Sequence, residues 1–337
     1  MLVEKIVQST RSSVLKFVCM LLGGMAAMPI LATPRPVQAA WPDRPIKFIV
    51  PFAAGGPADV AARILAAPLG EKLGAGIYIE NRGGAGGNIG TGAAARSDPD
   101  GHTFLATSGA FMLNPSLYEK VPYDPVSDFD PVVEISNSPT VLTAIPALGV
   151  RSLPELIALA KNDPDKLNFA TPGVGTQGHL AGELLKLRAG IKMVAVNHSG
   201  AAPAMQSLLA ATVPVGFTAL GPAHSHIKMG TLVGLAVTGA KRWHDLPDVP
   251  TMVELGFPDF VVEVNFAVYA PANTPAEIVE RIARESIAIL KRPEISDKLR
   301  NAGFAVTALG PAELKAKVAQ EVKFYKDVVM QTGVRQP

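Results

Sequence analysis

The chain reads as an α/β protein of two lobes, and three observations predict it. Short apolar runs of strand character alternate with helical patterns from Trp41 to near the C-terminus. Two distant segments share one design of strand, Gly-rich loop and helix start: IKFIVPFAAGGPAD over Ile46–Asp59 and LNFATPGVGTQGHL over Leu167–Leu180. The 337 residues suffice for two domains of common size, yet no low-complexity linker follows Ala40. Two domains without a linker imply strands that cross between lobes.

The first element is a leader. Lys5, Arg11 and Lys16 precede an apolar segment of 16 residues, Phe17–Ala32, and Val37-Gln38-Ala39 forms a small-x-small cleavage site. A retained membrane anchor is the alternative, but a span needs about 20 residues. Cys19 is the one cysteine, and its Phe-Val-Cys-Met context is not the usual lipoprotein acceptor, so the processed chain has no disulfide. Residues 1–39 carry four basic and one acidic side chain, which leaves 27 basic against 28 acidic after cleavage. No basic stripe remains for nucleic acid. Apolar residues at 48% can build real cores, and charged residues at 18% are too few for a disordered chain.

Strands are expected at Ile46–Phe52, Ile77–Glu80, Thr103–Thr107, Val132–Ser136, Val141–Ile145, Leu167–Thr171, Met193–Val196, Val213–Thr218, Leu232–Thr238 and Val261–Tyr269. Helices between them argue for parallel sheets covered by helices. Pro68 should bend or split the first helix, Asp59–Leu73. Ser152-Leu153-Pro154-Glu155 and Thr274-Pro275-Ala276-Glu277 have the form of capping boxes. Ile278, Ile282, Ile287 and Leu290 give one helix a core stripe, and Leu314, Val318, Val322 and Tyr325 do the same for the last helix. Val141–Ile145 and Val261–Tyr269 are the crossover candidates. The expected organisation is a leader over 1–39, one lobe from 40–140 with 266–337, and a second from 141–265.

A helix start that follows an open loop presents unpaired amides and a positive dipole end, which favours an anion. Two such loops facing each other would form a pincer for a carboxylate. Gly173-Val174-Gly175-Thr176-Gln177-Gly178 also matches the dinucleotide fingerprint, but Val194–Asn197 offers no acid to hold a ribose. An unliganded turn is the third reading; a small anion is favoured. The Gly cluster from Gly83 to Gly90 lacks the Lys-Ser or Lys-Thr of a phosphate loop and reads as structural. Ser108 ends a strand and either meets a ligand or makes a local turn bond. Asp59 either shapes its helix start or contacts a ligand hydroxyl. His179 either caps its helix or donates to a ligand, and His198 either lies at the sheet mouth or is a surface histidine. His224 and His226, two apart on a helix, face different ways and make a poor metal pair. G-x-S-x-G, H-E-x-x-H and C-x-x-C are all missing.

These residues resemble a known family. Trp41-Pro42-Asp43-Arg44-Pro45-Ile46, Ile49-Val50-Pro51-Phe52 with Gly55-Gly56 and Asp59, Glu80-Asn81-Arg82, Gly84-Ala85-Gly86-Gly87-Asn88 and Thr107-Ser108-Gly109 carry the likeness. So do Asn114-Pro115-Ser116-Leu117-Tyr118, Tyr123-Asp124-Pro125, Gly175-Thr176 with His179-Leu180-Ala181-Gly182-Glu183-Leu184, Leu246-Pro247-Asp248-Val249-Pro250-Thr251 and Ala270-Pro271-Ala272. Together they are similar to the periplasmic substrate-binding proteins of tripartite tricarboxylate transporters, the Bug or TctC type.

The resemblance implies a Venus-flytrap fold of two α/β lobes, type II-like, with two crossover strands. It implies a receptor in the periplasm, with no catalysis and no cofactor, that passes a small organic acid to membrane permease subunits as a monomer. A sensing receptor and, more remotely, a small-acid enzyme are the alternatives. Ligand contacts are expected from Phe52, Ala53, Gly55, Gly56, Ala58, Asp59, Ser108, Ala110, Thr171, Gly175, Thr176, Gln177, His179, His198 and Asn265. The chain departs from the family at Ala58, usually Thr; at Asn197-His198-Ser199-Gly200, often Pro-Tyr-Lys-Gly; at Phe217-Thr218-Ala219, commonly Phe-Asp-Asn; and at Asn265, often aromatic. Thr218 offers no counter-charge, so an amino acid with a free ammonium is expected to bind poorly.

Overall fold

The computed structural model describes residues 41–164, 167–198 and 200–335. The expected leader and Cys19 lie outside the described residues. Two lobes share one long strand, Phe129–Ala144, and the chain crosses back between them through Val262 into Glu263–Pro271. The first sheet runs β2 (Ile77–Asn81), β1 (Ile46–Val50), β3 (Thr103–Ser108), β9 (Glu263–Pro271), β4 (Phe129–Ala144), with β10 (Ala305–Leu309) on the far side of β4. The second holds β4 between β8 (Val233–Val237) and β7 (Val215–Ala219), followed by β5 (Asn168–Thr171) and β6 (Val194–Asn197).

The sheets are mixed, which corrects the expectation of parallel ones. β1 pairs in parallel with β2 and β3, and β5 with β6 and β7. Every pairing made by β4 or β9 is antiparallel. The expected strands Val132–Ser136 and Val141–Ile145 are one strand, β4. Its prolines explain the break in the pattern. Pro131 stands at a register shift against β9, and Pro139 is the last residue paired with β9, opposite Glu263. A proline has no N–H for the ladder, so it sits where pairing stops or slips. From Thr140 onward β4 pairs with β7. The Thr238 hydroxyl locks the crossing: it accepts the Thr140 amide at 3.0 Å and donates to the Val262 carbonyl at 2.6 Å.

In the first lobe α1 (Pro57–Leu73), α8 (Ala276–Leu290) and α9 (Pro293–Asn301) share a core with the sheet that includes Phe48, Leu65, Leu69, Phe104, Val268 and Ile282. Pro68 neither splits nor ends α1. Leu65, Ala66 and Leu69 around it are buried in that core, and their packing holds the turn whose hydrogen bond Pro68 cannot make. On the other face lie α2 (Asn88–Ala95), α3 (Ala110–Leu117) and α10 (Pro311–Thr332). There Phe111 stacks on Tyr123 at 5.6 Å and meets Tyr269 at 4.6 Å. The second lobe adds α4 (Leu153–Asn162), α5 (Gln177–Ala189), α6 (Ala201–Leu209) and α7 (Leu220–Lys228).

The two expected capping boxes fare differently. Ser152 accepts the Glu155 amide at 3.4 Å, while Glu155 turns back to the Arg151 amide at 2.8 Å. Thr274 caps nothing: its hydroxyl donates to the Pro271 carbonyl at 2.7 Å, and α8 starts from Pro275. β10 went unforeseen because its residues, AVTAL, are all half-buried and lack the apolar density of the other strands. Among the described residues, no helix is long and apolar enough to cross a membrane.

Candidate functional site

The β1–α1 loop is built around Asp59. This carboxylate is 2% exposed. Its Oδ2 accepts the Gly55 amide at 2.9 Å and Arg63 Nε at 2.8 Å, and its Oδ1 accepts Asn81 Nδ2 at 2.9 Å. Asn81 Nδ2 also reaches the Phe52 carbonyl at 3.1 Å. Burial works against the ionised form, but the bonds from Arg63, Gly55 and Asn81 outweigh it and hold the carboxyl at about 2. Asp59 is therefore a loop-shaping residue. The helix cap itself is Gly56, whose amide donates to the Ala53 carbonyl at 3.2 Å. Phe52 is half-buried with its ring against Gly87, where a Cβ would stand 3.2 Å from the ring. Ala58 is buried and Ala53 exposed.

The β5–α5 loop closes on itself in the same manner. Thr176 is the cap of α5; its hydroxyl accepts the His179 amide at 3.3 Å and donates to the Gly173 carbonyl at 2.8 Å. Its amide also meets the Gly173 carbonyl, at 3.2 Å. Thr171 Oγ1 sits 3.2 Å from Thr176 Oγ1. His179 neither caps nor faces outward. Its Nδ1 accepts the Gly175 amide at 3.0 Å, which fixes the neutral ring with the proton on Nε2. Burial lowers its pKa in agreement. Gly178 serves packing: a Cβ there would lie 2.5 Å from the Phe217 carbonyl oxygen. The two loops therefore offer fewer free amides than the sequence suggests. The amides of Gly55, Gly56, Gly175 and Thr176 are taken up inside the protein, and the first-turn amides of α1 and α5 remain, at Ala58, Asp59, Gln177 and Gly178.

The two lobes meet at the end of β3. A Cβ on Gly109 would lie 2.7 Å from Asn265 Oδ1 and 3.1 Å from Gln177 Nε2. Gln177 comes from the second lobe, Gly109 from the first, and Asn265 from the crossing strand β9. The Asn265 carbonyl accepts the Gly109 amide at 3.0 Å. Asn265 is 2% exposed and its Nδ2 donates to Glu321 Oε2 at 3.4 Å, so it braces the turn. The Ser108 hydroxyl accepts the Ala110 amide at 3.4 Å, the local bond weighed above; both residues are half-buried. His198 is half-buried, and its amide donates to the Thr171 carbonyl at 3.0 Å. The lobes come close at two glycines: Gly175 lies against the Leu117 side chain, and Gly303 against the Gly221 backbone, where a Cβ on Gly303 would stand 2.7 Å from the Gly221 Cα.

Beside the α1 start the lobes enclose a cavity of about 270 Å³ whose walls include Pro57, Val60, Ala219, Val264, Phe266 and Phe304. The sequence reading missed it. Its signal lay in the starts of α6 and α7, which follow β6 and β7 as α5 follows β5.

A buried ionic cluster at the crossing also went unforeseen. Lys317 Nζ is 2.7 Å from Glu134 Oε2 and 3.6 Å from Glu321 Oε1. Asn137 Nδ2 donates to Glu263 Oε2 at 2.6 Å. Burial, with Glu134 and Glu263 nearby, pushes Glu321 up to about 7 against the pull of Lys317. Burial likewise raises Glu263. Glu134 in the apolar run Val132–Ser136 was the visible sign. Among the described residues, no group of three or more His, Cys, Asp or Glu could hold a metal ion. His224 pairs with Asp245 and His226 with Thr231, separately.

The model of the tripartite tricarboxylate transporter family receptor matches residues 61–334. Protein BugT of Bordetella pertussis (strain Tohama I) is 37% identical over 303 residues, covering 89% of this chain and 93% of that protein. Among solved structures, R. palustris Rpa4515 with adipate superposes with a TM-score of 0.77 at 33% identity, covering 88% of this chain and 99% of that one. Periplasmic binding protein BugD gives 0.75 at 34% identity, with 88% and 100% covered. MatC from Rhodopseudomonas palustris with bound malate gives 0.73 at 30% identity, with 86% and 99% covered.

Proposed function

The chain belongs to the tripartite tricarboxylate transporter receptor family, and from that premise we propose that it captures a small organic acid between its lobes and delivers it to membrane permease subunits. It acts in the periplasm once its leader is removed, as a monomer and without catalysis. One lobe comprises 40–140 with 266–337 and the other 141–265; the change of β4 partner between Pro139 and Thr140 and the start of β9 at Glu263, both near those bounds, support the division. One observation carries the reading: Gln177, Gly109 and Asn265, from second lobe, first lobe and crossing strand, converge on one point. The adipate and malate complexes of relatives support an acid as the ligand class.

The carboxylate lies at the ends of β1 and β3, against the first-turn amides of α1 and α5 and the Ser108 hydroxyl. Helix-end electrostatics supplies about 0.3–2 kcal/mol, so hydrogen bonds and enclosure must provide most of an affinity near −8 kcal/mol, the value for a micromolar ligand. Thr218 is 1% exposed and uncharged, so aspartate and glutamate, each with a free ammonium, bind poorly.

Thermal-shift and calorimetric screening of the processed protein against carboxylic acids tests this. A true ligand at about 100 times its dissociation constant stabilises by about 2.7 kcal/mol. Gly109→Ala, which crowds Asn265 and Gln177, should remove most of that shift. A chain that binds no carboxylic acid, or whose Gly109→Ala variant binds as well as the parent, contradicts the proposal.

A further inference from the structure

We propose that the ligand is a carboxylic acid bearing one uncharged, ring-sized apolar group, and that this group fills the cavity beside the α1 start. The proposal rests on the receptor reading above and names its ligand class. The cavity adjoins the acid-binding end: Gly55 of the β1–α1 loop lies on its wall. Ser108 pairs with Phe266 across β3 and β9, so both side chains stand on one face of the sheet, and Phe266 is a wall residue. A carboxylate held at Ser108 therefore has its remaining atoms directed along Phe266.

What the wall offers there is carbon. Among the described residues of the wall none is ionisable, and Ser138 is the one polar side chain; it donates its hydroxyl proton to the Gly303 carbonyl at 3.1 Å. Three helices start around the cavity, and each has a proline in its first turn: Pro57 in α1, Pro203 in α6 and Pro222 in α7. Each proline deletes one of the amide donors that a helix start would present. A second carboxylate would meet no cation among the described wall residues and a thinned set of donors. The volume of about 270 Å³ suits an apolar occupant, since an apolar cavity of about 150 Å³ already admits benzene.

The test is calorimetry on the processed protein with benzoate and phenylacetate against succinate, malate and adipate. Ring acids should bind at least tenfold more tightly than any of the dicarboxylates. Ala201→Leu, which fills the cavity from α6, should cut ring-acid affinity at least tenfold. The near-isosteric Val264→Thr should cut it about threefold or more, with far-ultraviolet dichroism confirming that both variants fold. A dicarboxylate that binds more tightly than both ring acids, or ring-acid titrations unmoved by both substitutions, overturns this proposal and leaves the receptor reading standing. Binding of no acid from either set overturns both.

Discussion

Asp59 shows how an acid comes to stand at a helix start proposed to bind an anion. All its lone pairs that matter face protein donors, so it gives the loop its shape and offers the ligand nothing. Asp59→Ala should lower stability by about 1–3 kcal/mol, seen in urea unfolding, because Arg63, Asn81 and the Gly55 amide lose their acceptor. Affinity measured on the folded fraction should change less than about tenfold. The carboxyl sits at about 2, below its ordinary 3.8. Its contribution is therefore present above pH 3.8 and lost as pH falls through 2, and the gap between variant and parent should shrink across that window. The sequence offered two readings of Asp59 and could not choose, since the choice depends on Asn81, which lies 22 positions away and is brought alongside by β1–β2 pairing. His179 was open for the same reason: its partner is a loop amide whose direction is fixed only by the positive φ of Gly175.

At the scale of elements, α10 matters most. It lays Lys317 and Glu321 against Glu134 of β4 and near Glu263 of β9, with Asn265 and Tyr325 completing the surroundings of Glu321. Three carboxylates share one ammonium where the strands cross. The folded chain keeps the Glu321 proton up to about pH 7, whereas its ordinary value is 4.5. Stability should fall as pH rises from 4.5 to 7 and level off above. Glu321→Gln should remove that slope, matching the parent near pH 4 and exceeding it by about 1–3 kcal/mol at pH 8 in denaturant titrations. Most strands were legible from their apolar runs. Those that failed did so for local reasons: Pro139 looks like an end but marks a change of partner, and Thr274 prefers the carbonyl behind it to the amides ahead. The ionic cluster joins residues from 134 to 321, beyond the reach of any periodicity.

For the molecule as a whole, the two-lobed plan was legible because it repeats one design, a strand feeding a helix through glycines. What was not legible is the space between the lobes, since the described cavity walls come from six separate stretches of chain. One approach between the lobes joins Gly303, at φ +85°, to Gly221 with no side chain between them. Gly303→Ala adds a methyl group where 2.7 Å is available and strains the backbone as well. Small-angle scattering should report a larger radius of gyration for the variant, and the cognate acid should bind at least tenfold more weakly. Unchanged values for both would show that this contact does not limit the motion of the halves. Main chain touching main chain has no rotamer to yield and no charge to neutralise. If the lobes close on an acid as proposed, this seam acts as a mechanical stop, insensitive to salt, that sets how far the jaws can shut and so the largest cargo they can conceal from water.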